Sequence, residues 1–383
     1  MRAPEKALRV LMVCHYYPPH LGGIENVVHD EAVRLVELGH EVVVLTSGEK
    51  SGTVDEDGVT VVRVAAWNGL ERRAGVPFPV FSPSLLARAL RRVGWADVVH
   101  VHDCFYLTSW AAGFASILLR TPLVLTQHVA MVDHPSGAVR LVQKLVYGVA
   151  KRALVRWARR VFTINAHVAH FVARLGAAED KVTVLENGVD GRMFRPAADP
   201  AERSALRERY GLTLDRTLVL FVGRIVPKKG IDLLLAAADK SYDLVVVGGG
   251  DAQVLGGRPG VHFLGRQPSA SVAEIYRACD IFALPTTGEV FTLVVKEAMS
   301  AGLPVVTTDE PDYRRYGLDG TELTLVPRDA DEFRDALARI AGDEAGRAAT
   351  GSAARAFAAD RFSWPEHVDT LVHHYRSLLE EVS

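Results

Sequence analysis

The stretch Asp280–Thr308, DIFALPTTGEVFTLVVKEAMSAGLPVVTT, decides the fold. DIFALP is a short apolar run of strand type, and PTTGEVF is a polar loop with a glycine. TLVVKEAMSAG has helical spacing, stopped by Gly302 and Pro304. PVVTT is a second strand. Strand, helix and strand in about 30 residues make a βαβ unit, whose two strands lie parallel in one sheet. The stretch also carries Glu289 before the helix and Glu297 inside it. A Glu is seldom buried unless it is paired or bound to something.

The same alternation runs outward in both directions. Upstream come LRVLMVC, EVVVLTS, DVVHVH, PLVLTQH, RVFTIN and VTVLEN; after a break come TLVLFVG, DLVVVGG and VHFLG. The break, Asn187–Leu212, is polar and contains prolines. The chain therefore reads as α/β, with two Rossmann-like, doubly wound domains. The expected division is 1–190 and 191–365, with a helix over 366–383 crossing back to the first domain. Such sheets bind ligands at the carboxyl ends of their strands.

The 383 residues are 49% hydrophobic and 23% charged, with a net charge of -2, an ordinary globular composition that gives no global basic field for nucleic acid. Residues 1–200 hold 23 Lys and Arg against 19 Asp and Glu, a net of +4, and the remainder carries -6. Cys14, Cys104 and Cys279 lie far apart and suit neither a metal nor a disulfide framework. No apolar run reaches the roughly 20 residues of a membrane span. The opening residues lack a signal-peptide cleavage pattern. A cytoplasmic protein, with peripheral membrane attachment as an option, is the expectation.

Four stretches carry candidate chemistry. Gly22 and Gly23, after the first strand, suit either a plain turn or close approach of backbone to a ligand at a helix start. FVGRIVPKKGID places Arg224 and Lys229 on a loop leaving a strand, where two cations suit a diphosphate; Lys228 reads as a solvated loop charge. Thr292 is a good N-cap type for the helix that follows, whose N–H groups and dipole form an anion site with Glu289 just outside it. His100 and His102 share a strand face, yet no third ligand is visible on that face, so no metal is assigned. Neither a P-loop nor a G-x-G-x-x-G fingerprint is present; VGGGDAQ fails at Gln253.

Together these residues resemble glycosyltransferase family 4, retaining enzymes of the GT-B fold. GEVFTLVVKEAMSAGLPVV resembles the family's E-x-F-G-x-x-x-x-E segment. GGIENVV, LGHEVVVLT, DVVHVHD, VLTQH, VLENGVD, FVGRIVPKKGIDLLL, VVVGGGD, FLGR, IYRACDIFALPT and RFSWPEHVDTLVHHYRSL follow in family order over essentially the whole chain. The resemblance implies two Rossmann-like domains facing across a cleft, acceptor side first and donor side second. It implies a nucleotide-diphosphate sugar donor, UDP-sugar above others, a hydroxyl acceptor, and no metal or other cofactor. Arg224 and Lys229 would hold the donor diphosphate, Glu297 the ribose, and Glu289 the sugar near its anomeric centre. His128 would touch the sugar, and Gly22 and Gly23 would let phosphate and acceptor approach. The backbone N–H groups of Phe291, Thr292 and Leu293 would bind sugar hydroxyls and phosphate. Thr292 replaces the family's usual Gly, and TTDEPDY replaces a Gly-rich turn. A phosphorylase, a nucleotide-sugar epimerase or a non-catalytic sugar-binding scaffold are the alternatives.

On the acceptor side, Pro135–Ala178 holds eight Lys and Arg and no acid. Its apolar stripe, Val142 to Trp157, fits packing on a sheet, or a membrane contact through 138–160 with a lipid-linked or cell-envelope glycan acceptor. Residues 69–83 are expected to form a loop on the same side.

Overall fold

Residues 6–20, 22–67, 80–81, 84–130, 146–148, 154–318 and 320–382 are described by the computed structural model. The chain divides into two compact units, Met1–Asn187 with Pro365–Ser383, and Gly188–Trp364. The divide falls between Asn187 and Gly188 and again between Trp364 and Pro365. Gly188 is needed there, since a Cβ on it would lie 2.5 Å from the Trp364 ring.

In the first unit, nine strands form one sheet: β1 (Arg9–Val13), β2 (Glu41–Gly48), β3 (Gly52–Glu56), β4 (Val59–Trp67), β5 (Val80–Phe81), β6 (Val98–His102), β7 (Leu123–Gln127), β8 (Arg160–Thr163) and β9 (Val182–Val184). The order is β3-β4-β2-β1-β6-β7-β8-β9, with β5 on β4. All pairs are parallel except β3–β4 and β4–β5. That antiparallel flank is new relative to the sequence reading. Its β3 has no buried side chain, so it carries no apolar run to read.

The second unit has six parallel strands: β10 (Thr217–Val222), β11 (Tyr242–Val247), β12 (Val261–Gly265), β13 (Ile281–Leu284), β14 (Val305–Thr308) and β15 (Thr324–Val326). Their order is β12-β11-β10-β13-β14-β15. This is the doubly wound arrangement, and the order reverses between β10 and β13. Ile281–Leu284 and Val305–Thr308 are wholly buried, as strands covered on both faces must be. In the first unit the corresponding reversal lies between β1 and β6.

Most of residues 69–83 and 138–153 lie outside the described residues. Of the predicted stripe, Leu154 is buried, but Trp157 is 55% exposed and does not pack on the sheet. Among the described residues, no helix is long and apolar enough to cross a membrane.

Candidate active site

The loops after β10 and β13 leave the carboxyl ends of the two strands that flank the switch point of the second unit. Both are shaped by glycines. Gly230 has φ +72°, and a Cβ on it would sit 2.2 Å from the Pro285 carbonyl oxygen. Only glycine lets the Pro227–Lys229 turn lie against the end of β13. Gly248, with φ +145°, comes so close to the loop after β10 that a Cβ would meet the Gly223 carbonyl oxygen at 1.8 Å. The triple glycine after β11 is therefore a packing device.

These approaches bring Lys228, Lys229 and Glu289 together. Lys229 Nζ lies 2.5 Å from Glu289 Oε2, and Lys228 Nζ 3.1 Å from Oε1. The Thr286 hydroxyl donates to Glu289 Oε2 at 2.7 Å. Lys228 is thus part of the cluster rather than a mere solvated charge, although its side chain remains 53% exposed. Burial raises the Glu289 carboxyl, but the two ammonium groups and the Thr286 hydroxyl outweigh it and hold it below the usual carboxylate range. Arg224 is exposed on the same loop and, among the described residues, has no carboxylate partner.

The helix Leu293–Ser300 begins beside this cluster. Thr292 occupies the N-cap position, but its side chain makes no cap, contrary to the sequence reading. Its hydroxyl is buried with no hydrogen-bond partner among the described residues. The residue before it is unusual. Phe291 has φ +45°, a region unfavourable to a side chain of its size, and is held there by Tyr313, Tyr316, Phe357 and Phe362 around its ring. The Phe291 N–H points at the Tyr313 hydroxyl, 3.5 Å away. The Gly288 N–H donates to Glu310 at 2.7 Å, so the acidic turn of TTDEPDY anchors the loop. On the second turn, Glu297 accepts from the Tyr276 hydroxyl at 3.1 Å.

The remaining predicted residues lie in the first unit. Gly22 is the N-cap of the helix Gly23–Glu37, and a Cβ on it would lie 2.1 Å from Glu25 Oε2. The first-turn Glu25 therefore already covers that helix start, which its sequence position shows and the sequence reading did not use. His128 directly follows β7, is buried, and pairs with His102, Nε2 to Nδ1, at 3.1 Å. A third metal-type ligand beside His100 and His102 does exist: Glu31, from the helix Gly23–Glu37, and ligand atoms of the three lie within 4.8 Å of one another. Yet both ring nitrogens of His100 are engaged by hydroxyls, of Thr126 and Tyr375, each at 2.7 Å. Among the described residues, this cluster keeps only two spare ligand atoms, Glu31 Oε2 and His102 Nε2.

The sequence matches the family model for glycosyltransferase family 4 over residues 21–191 and that for glycosyl transferases group 1 over 202–357. It is 32% identical to the D-inositol 3-phosphate glycosyltransferase of Xylanimonas cellulosilytica, covering 92% of this chain and 91% of that one. Identity to the enzyme of the same name from Kribbella flavida is 30%, over 94% and 92%.

The chain belongs to glycosyltransferase family 4.

Its fold is GT-B. Anabaena Alr3699/HepE, solved in complex with UDP-glucose, aligns with a TM-score of 0.76 at 20% identity, over 97% of this chain and all of that one. Sucrose-phosphate synthase from Thermosynechococcus elongatus aligns with a TM-score of 0.74 at 20% identity, over 98% and 100%.

Proposed function

We propose that this glycosyltransferase moves a hexosyl-type sugar from a nucleotide-diphosphate sugar, UDP-sugar first among them, to a hydroxyl acceptor, with retention and without a divalent cation. The observation that carries this is the meeting of Lys228, Lys229 and Glu289 beside a helix start at the switch point. Cleavage of a glycosyl–phosphate bond puts negative charge on the leaving diphosphate and positive character on the sugar. Arg224, Lys229 and the helix N–H groups stabilise the first. Glu289 faces the second, released from its lysines as the diphosphate takes them over. Glu297, already oriented by Tyr276, binds the ribose, and His128 contacts the sugar. The full-length relatives support a phosphorylated inositol as the acceptor.

A thermal-shift panel with UDP, GDP, ADP and TDP tests the donor. One nucleotide at 100 times its dissociation constant raises stability by about 2.7 kcal/mol in wild type and not in Arg224→Ala. Silence from all four in wild type sinks the reading. The anomeric configuration of the product tests retention, and turnover in EDTA tests metal independence.

A second reading, a lipid-linked acceptor reached by contact with an anionic membrane surface, rests on the first unit. The helix Leu107–Leu119 exposes Phe114, Leu118 and Leu119. A groove of about 340 Å³ beside it is lined by Arg120, Trp157 and Arg159. Aromatic and aliphatic tips rimmed by arginine suit anionic headgroups. Flotation with phosphatidylserine vesicles, lost on Trp157→Ser and at high salt, supports it; equal flotation with neutral vesicles refutes it.

A further inference from the structure

Beneath His128 lies a buried polar chain that the proposed reaction does not use. Glu31, His102, His128 and His367 are all nearly inaccessible. His367, on the helix Trp364–Val382, places Nδ1 2.8 Å from the Glu186 carbonyl oxygen and Nε2 2.9 Å from Glu31 Oε1. A carbonyl oxygen only accepts, so Nδ1 carries a proton. The Nε2–Oε1 contact then holds one further proton, whether on the imidazole or on the carboxyl.

In both cases the other oxygen, Glu31 Oε2, is an acceptor. It faces His102 Nε2 at 3.6 Å. Neither atom has a hydrogen-bond partner among the described residues. A lone pair on Nε2 would point at the lone pairs of Oε2 in a site without water, which is costly. The proton of His102 therefore sits on Nε2, and its Nδ1 accepts. His128 Nε2, 3.1 Å away, must donate, which leaves His128 Nδ1 as an acceptor. Burial holds both imidazoles far below their ordinary range, His128 down to about 3, so each carries one proton at neutral pH.

We propose that Glu31 is a positioning residue which, through His102, fixes the tautomer of His128 so that His128 Nδ1 accepts a hydroxyl of the bound sugar, with His367 holding Glu31 in place. The part that concerns the sugar rests on the assignment of His128 in the donor site; the tautomer itself does not. The arrangement works like the third member of a catalytic triad, which orients an imidazole without touching substrate.

Two-bond ¹H–¹⁵N correlation spectra of the full chain, labelled with ¹⁵N-histidine, read the tautomers directly. In wild type, both His102 and His128 are expected as Nε2–H. In Glu31→Leu the opposite pair, both Nδ1–H, becomes populated, whereas Glu31→Gln keeps an acceptor oxygen and the wild-type pattern. If Glu31→Leu does not fold, Glu31→Leu/His367→Phe strands no buried charge and carries the same expectation. An Nδ1–H His128 in wild type overturns the proposal without any variant, and so do unchanged tautomers in the leucine variant. His128→Ala, assayed by thermal shift with UDP-glucose, tests the donor assignment separately. A variant stabilised as much as wild type removes the sugar contact and leaves the tautomer result standing.

Discussion

The two units gather polar side chains beside the same topological position and build these clusters from opposite materials. In the second unit the loops beside the switch point are ionic and partly open to solvent. Lys228 and Lys229 share the one carboxylate of Glu289, which leaves the cluster positive, and Arg224 stands exposed on the same loop. In the first unit the groups near the switch are imidazoles and one carboxyl, sealed from water, in a chain of contacts from Glu186 to His128. The ionic cluster can exchange partners, as a site for a charged ligand must. The buried chain cannot, because every rearrangement would strand a polar atom without water. One region is suited to receiving charge and the other to holding a single group in one state.

The largest effect that tests this contrast is on stability. His367→Ala strands Glu31 in the first unit and should cost about 3–5 kcal/mol, read as a shift in the denaturation midpoint. A loss under about 1 kcal/mol would show that water reaches the site and that the region is not sealed. Next comes Lys229→Ala in the second unit. It should reduce turnover about 10²–10³-fold with little change in stability, since a partly exposed pair contributes little to folding. An equal loss of stability and of activity would erase the distinction between the regions.

The same contrast appears in pH dependence. His100, His102 and His128 are held below their ordinary range by burial, so unfolding takes up protons as pH falls through about 6.5. The contribution of these imidazoles to the first unit is therefore full above that value and is lost below it, by up to about 1.4 kcal/mol per pH unit for each imidazole that stays neutral, offset in part by Asp103 and Glu31, whose carboxyls burial raises. Glu289, also depressed, withdraws its contribution only when pH falls through the carboxylate range, near about 4. Hydrogen exchange at about pH 7 and about pH 5.5 should show first-unit amides losing protection while those of the second keep theirs. The smallest effect is expected at Thr292. Its hydroxyl is buried without a partner, so Thr292→Val should change stability by less than about 1 kcal/mol, with a gain as the expected sign.

What the sequence revealed follows the range of each interaction. Strands such as Ile281–Leu284 and Val305–Thr308 declare themselves because burial on both faces demands an unbroken apolar run. The flank β3–β4–β5 was missed because Gly52–Glu56 is exposed and Arg63 interrupts Val59–Trp67; its guanidinium reaches Glu56 and the Pro18 carbonyl. Arg224, Lys229, Glu289 and Glu297 are candidates that loop position and family order alone single out. The Lys228–Glu289 and Tyr276–Glu297 contacts were not legible, since each joins separate elements. The failed cap at Thr292 and the aromatic cage around Phe291 were hidden as well: an N-cap residue type is local, whereas the cage is assembled from Tyr313, Tyr316, Phe357 and Phe362. Glu31 was the hardest case. Its helix reads as amphipathic, and nothing near it in sequence shows that its partner comes from residue 367.

The return of the chain to the first unit has a consequence for biosynthesis. His367 and Tyr375 complete the polar contacts of Glu31 and His100, and both follow all of the second unit in the chain. During translation the first unit emerges with a carboxyl and a row of imidazoles whose partners His367 and Tyr375 are not yet made. Until the ribosome has made the entire second unit, the nascent first unit is short of one helix. A message cut short before residue 364 would thus yield two folding failures where the order of the domains suggests only one.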